Sequence, residues 1–107
     1  MRTITLTIQS TAKNWRLGLY KEDAMKYFSH LESVQFVLNH GLILFCNAAC
    51  GNSKKKAYDF NNVNLSKWIV NNSFHQYPNR KPTKLIFKLT MLKNKKTLIF
   101  ESVKTNS

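Results

Sequence analysis

Lys84-Leu85-Ile86-Phe87-Lys88-Leu89-Thr90-Met91, answered by Leu98 and Phe100 across Lys93-Asn94-Lys95-Lys96, is the stretch whose reading decides the fold. Leu85, Phe87, Leu89 and Met91 alternate with Lys84, Ile86, Lys88 and Thr90. Side chains two apart share a face of an extended strand, so Lys84 and Lys88 lie opposite a row of core residues. The intervening polar residues supply a turn, and the whole predicts a long hairpin with one apolar face.

The same period runs at the other end of the chain, where Ile4, Leu6 and Ile8 alternate with Thr3, Thr5, Thr7 and Gln9. Residues 10–18 read as loop, with a short extended piece at 15–19. A helix is predicted over 21–30, since Ala24, Phe28 and Leu31 share a face and Glu22 and Asp23 suit its positive start. Val34, Phe36 and Leu38, the turn Asn39-His40-Gly41 and the run 42–48 read as a second hairpin. Its second strand is expected to be central, because both of its faces are apolar.

After a loop at 51–56, residues 57–60 form a brief strand. Asn61 to Asn64 offer helix caps, and Leu65, Trp68 and Ile69 at i, i+3 and i+4 predict a helix over 65–71. Residues 73–82, which include both prolines, form a loop. The order β-α-β-β-(β)-α-β-β predicts one α+β domain over 1–107, with a mainly antiparallel sheet or partial barrel and a flexible tail from about 104.

At 107 residues the chain fits one core, and 43% apolar residues exclude an intrinsically disordered chain. No apolar run approaches the roughly 20 residues that cross a bilayer, so no membrane partner is expected. The threonine-alternating N-terminus is unlike a signal peptide, and two cysteines make no disulfide framework, so the expected location is cytoplasmic. Abundant Asn and Lys with scarce Gly and Ala match the residue usage of an AT-rich genome, such as that of a phage or mobile element.

Charge is the functional signal. Beyond Ser53, twelve cations against two acids give +10, while residues 1–53 carry +2. Such asymmetry favours a polyanionic partner. The candidate nucleic-acid contacts are Lys54, Lys55 and Lys56 in a loop, Arg80, Lys81, Lys84 and Lys88 along loop and strand, and Lys93, Lys95 and Lys96 in the turn. Gln76 and Tyr77 join them from the Pro-bounded loop, because amides bond base edges and aromatic rings stack on bases. Trp68 and Phe60 are assigned to the core.

Leu65-Ser66-Lys67-Trp68-Ile69-Val70-Asn71-Asn72, followed after a loop by Lys84-Leu85-Ile86-Phe87-Lys88-Leu89, resembles the short tryptophan-bearing helix and core strand of B3-like pseudobarrel DNA-binding domains. Those domains occur in plant transcription factors and some restriction enzymes. Pro82-Thr83 stands where they often have Gly-Asp, and the resemblance assigns no functional residue.

The expectation is therefore a basic binding protein without enzymatic activity, whose partner is nucleic acid, duplex DNA first, held mainly by phosphates. One alternative is a metal-independent RNase of toxin type, with His75 as acid or base and Tyr77, Arg80 and Lys81 around the phosphate. Another is a protein that covers an acidic protein surface, and sheet edges leave homodimerisation open. Cys46, Cys50, His40 and His75 allow a zinc set to be drawn. Their C-x3-C spacing is not the paired spacing of structural zinc, and Cys46 ends an apolar strand, so no metal or cofactor is expected.

Overall fold

The alternating strands close on one another. The structure, a computed structural model, describes residues 2–50, 58–78 and 81–104. Among these are β1 (Arg2–Ser10), β2 (Trp15–Gly18), α1 (Lys21–Tyr27), β3 (Ser33–Val37), a 3-10 turn (Asn39–Gly41), β4 (Ile43–Cys50), β5 (Tyr58–Phe60), α2 (Val63–Asn71), β6 (Lys84–Leu92) and β7 (Lys95–Lys104). The expected tail from about 104 lies outside the described residues apart from Lys104. No described helix is long and apolar enough to cross a membrane.

The strands run β1-β2-β5-β4-β3-β7-β6 and return to β1, a closed barrel where the sequence predicts a sheet or partial barrel. Two features close it. Trp15–Gly18, read from sequence as loop with a short extended piece, is a full ladder member that bridges β1 and β5. In addition, β3 pairs with β7 in parallel, Phe36 opposite Leu98, although the sheet is otherwise antiparallel. Each described strand has a neighbour on both sides, but β2 meets β1 only at 7–10 and β5 meets β4 only at 48–50, so on those sides β1 and β4 keep unpaired stretches at 2–6 and 43–47.

Inward residues fill the barrel in the period the sequence sets. Ile4, Leu6 and Ile8 from β1, Leu17, Val34, Phe36, Leu85, Phe87 and Leu98 are fully buried. A bulge at Ile86/Phe87 inserts Glu101 into β7, which bends the strand around the barrel. It also turns Glu101 outward toward Lys88, 3.4 Å away.

Three local expectations change. β4 is central, pairing with β3 and β5, but only Leu44, Cys46 and Ala48 point inward. Ile43 and Phe45 face solvent, since barrel closure gives each strand a single core face. Helix α1 stops at Tyr27 rather than at 30, because Phe28 is extended and buried edge-on against Phe60, at 5.5 Å. Helix α2 begins two residues early, behind the Asn62 cap, whose Oδ1 accepts from the Asn64 and Leu65 amides.

The β6–β7 hairpin turns on Lys93 and Asn94, both left-handed with φ of 50° and 64°. Two positive φ values in a two-residue loop are the geometry that Asn-Gly fits best, and a lysine there is strained. Replacing the pair by Lys93→Asn with Asn94→Gly is expected to stabilise the fold by about 1 kcal/mol. Thermal unfolding checks it, and an unchanged or lower Tm contradicts it.

Candidate functional site

The two ends of the barrel differ in charge and chemistry. One end carries α1 and the β6–β7 turn, and the other carries α2. The α2 end is built from residues 10–16, 38–42, 60–78 and 81–84, with residues 101–104 of β7 beside the start of β6, and Glu101 is the one acid in these segments. The other four acids lie outside them, with Glu22 and Asp23 on α1, Glu32 just before β3 and Asp59 on β5, and Glu101 is paired with Lys88.

Local bonds fix this end. Thr11 Oγ1 accepts from the Asn14 amide at 2.8 Å and donates to the Asn14 carbonyl at 2.9 Å, closing a rigid turn between β1 and β2. The Trp15 amide then donates to Ser66 Oγ on α2 at 2.9 Å, tying the turn to the helix across 51 residues of sequence. Helix α2 is pinned on its far side, where Trp68 Nε1 donates to Asn39 Oδ1 at 2.7 Å. Asn39 in turn donates to Asn72 Oδ1 at 2.9 Å. Trp68 and Phe60 are buried, as expected.

Between turn and helix runs a groove of about 320 Å³, lined by Trp15 and by a helical stripe of Val63, Ser66, Lys67 and Val70. Lys13, Asn14 and Asn71 complete its lining. Trp15 is braced from behind by His75, with ring centres 5.5 Å apart, and by Tyr77, edge-on at 6.2 Å. His75 Nδ1 is buried and has no hydrogen-bond partner among the described atoms. His75 thus serves as packing for an aromatic cluster. Beyond it, Lys81 and Lys84 flank the start of β6 at the same end, where the Ile8 amide donates to the Thr83 carbonyl and extends the β1–β6 ladder.

Of the basic residues predicted from sequence, Lys81 and Lys84 lie at the start of β6, and the Lys81 amide donates to the Pro78 carbonyl next to Tyr77. Gln76 is exposed in the same loop. Lys84 Nζ lies 5.9 Å from the Tyr20 ring centre. Lys93, Lys95 and Lys96 do not join them. They stand beyond the other end of a nine-residue strand, roughly 26 Å along it at the usual rise. Lys54, Lys55, Lys56 and Arg80 lie outside the described residues.

Several of these cations have partners already. Lys88 pairs with Glu101, and Lys96 pairs with Glu32 at 2.9 Å and donates to the Tyr27 carbonyl. Lys95 covers the Phe45 ring at 5.1 Å, beside exposed Ile43, Met91 and Leu92. Burial pushes the Glu32 carboxyl up, but the bonds from Lys96 and the Ser29 amide outweigh it and hold the group below its ordinary value. Asp59 is held above its ordinary value by burial, partly offset by Arg16 at 3.2 Å.

No family model, curated protein or solved structure matches this chain. The chemistry available must be read from the residues themselves. Among the described residues, no three of His, Cys, Asp and Glu gather closely enough to share a metal ion. Cys46 points into the barrel, where burial, then Asp59, pushes its thiol up to about 12, and Cys50 lies at the end away from α2. The α2 end instead offers an aromatic wall, amides and, in Lys13, Lys67 and Lys81, cations that pair with no carboxylate among the described residues.

Lys13, Asn14, Trp15 and Lys67 are absent from the contact residues predicted from sequence. The available signal is the acid-free run from Phe60 to Phe100, which holds eight cations, together with the i, i+3, i+4, i+7 stripe of α2.

Proposed function

We propose that this chain is a nucleic-acid-binding module that grips duplex DNA at the α2 end, chiefly through its phosphates. The observation that carries the reading is that the segments that build this end hold Lys13, Lys67, Lys81 and Lys84 but a single acid, Glu101, which is already paired with Lys88. A lysine surface that serves only solubility needs no such segregation, since interspersed acids keep a protein soluble equally well. Phosphates gain from it, because each lysine that meets one displaces a condensed counterion. The tryptophan-bearing helix that resembles those of B3-like domains forms part of this end, which agrees with DNA as the ligand.

Binding of random-sequence duplex DNA across a salt series tests the proposal. Four lysine–phosphate contacts give a slope of log K against log salt of about −3.6. A flat dependence, or no binding at low salt, rejects it.

A further inference from the structure

Phosphate contacts explain the lysines of the α2 end but not its groove. Val63 and Val70 are 57% and 43% exposed on the solvent side of a helix whose other face already fills the core. They stand with Trp15 along one cleft, although lysines alone would meet a phosphate backbone. Apolar walls beside the Asn14 and Asn71 amides suit a flat, heteroaromatic ligand with polar edges. Lys13 and Lys67 at the rim suit phosphates on either side of it.

We infer that this groove receives a single nucleobase out of its stack, a deepening that rests on the nucleic-acid reading above. Trp15 and the two valines cover the faces of the base, while Asn14 and Asn71 meet its edge. In a paired duplex these faces are hidden by neighbouring bases. The ligand is therefore an unpaired or mismatched nucleotide, or a single strand. The groove is organised before binding, because the Thr11 turn, the Trp15–Ser66 bond and the His75–Tyr77 brace hold both walls in place.

The test compares three probes of equal length: a matched duplex, a duplex with one unpaired 2-aminopurine, and a single strand with the same 2-aminopurine. Base–aromatic stacking predicts that the duplex with the unpaired base binds about ten-fold tighter than the matched one. Because Trp68 is buried in the core, quenching of tryptophan emission on binding reports Trp15. Trp15→Leu is expected to abolish the preference, and Trp15→Phe to restore most of it. Should Trp15→Leu fail to fold by circular dichroism, the surface variant Asn14→Ala with Asn71→Ala replaces it and is expected to lower the preference at least two-fold.

Quenching with the single strand alone supports the groove and names single-stranded nucleic acid as its source. Salt-dependent binding with no preference for the unpaired base and no quenching overturns the inference while the phosphate-binding function stands. Absence of binding to all three probes overturns both.

Discussion

Reversing two charges at the α2 end, Lys13→Glu with Lys67→Glu, is expected to weaken duplex DNA binding by about a hundred-fold at low salt and to flatten the salt slope by about two. Both side chains are exposed, one in a turn and one on a helix surface, so the exchange leaves the core untouched. The comparison that gives the result meaning is Lys93→Glu with Lys95→Glu, which changes net charge equally at the opposite end. If binding is located at the α2 end, that pair acts only through the long-range field, and its effect stays below about five-fold. Fluorescence anisotropy with a labelled duplex measures both. Equal losses from the two pairs would mean that net charge, not the α2 end, controls affinity.

Phe36→Ala carries the largest expected loss of stability, about 3–5 kcal/mol. The ring is fully buried and lies edge-on to Phe60 at 4.9 Å and to Phe87 at 5.7 Å. Phe60 continues to Phe28 beneath α1, and Phe87 to Trp68 on α2, so Phe36 is the middle link of an aromatic chain joining the two ends. Domains of this kind hold roughly 5–15 kcal/mol in total, so the variant is left marginal or unfolded. On the neighbouring strand Phe45 is half exposed, and Phe45→Ala is expected to cost no more than about 1 kcal/mol. Urea unfolding of both variants checks the contrast, and a Phe36→Ala loss below about 1 kcal/mol would show that this ring chain is not the core.

Patterns that depend on near neighbours are legible in the sequence. The threonine alternation of β1, the Leu65-Trp68-Ile69 face of α2 and the β6–β7 hairpin follow from local period and turn chemistry. Closure does not follow, because it depends on Phe36 meeting Leu98 and on a four-residue strand too short to show a period. The site divides in the same way. Tyr77, Lys81 and Lys84 lie in or beside one Pro-bounded loop, whereas Trp15 and Lys67 become neighbours only through a bond between residues 15 and 66. Charge counting gives the sign of the partner from sequence but no address. It weighs Lys96 and Lys13 alike, although one is neutralised by Glu32 and the other opens on the groove.

The parallel seam between β3 and β7 also sets a timetable for the growing chain. Until residues 95–104 have left the ribosome, β3 lacks one neighbour and β6 lacks another, so the nascent sheet carries two bare edges. Both are of the kind that recruits other chains. Barrel closure therefore waits for β7. The interval before β7 arrives is when these two edges stand open to other chains.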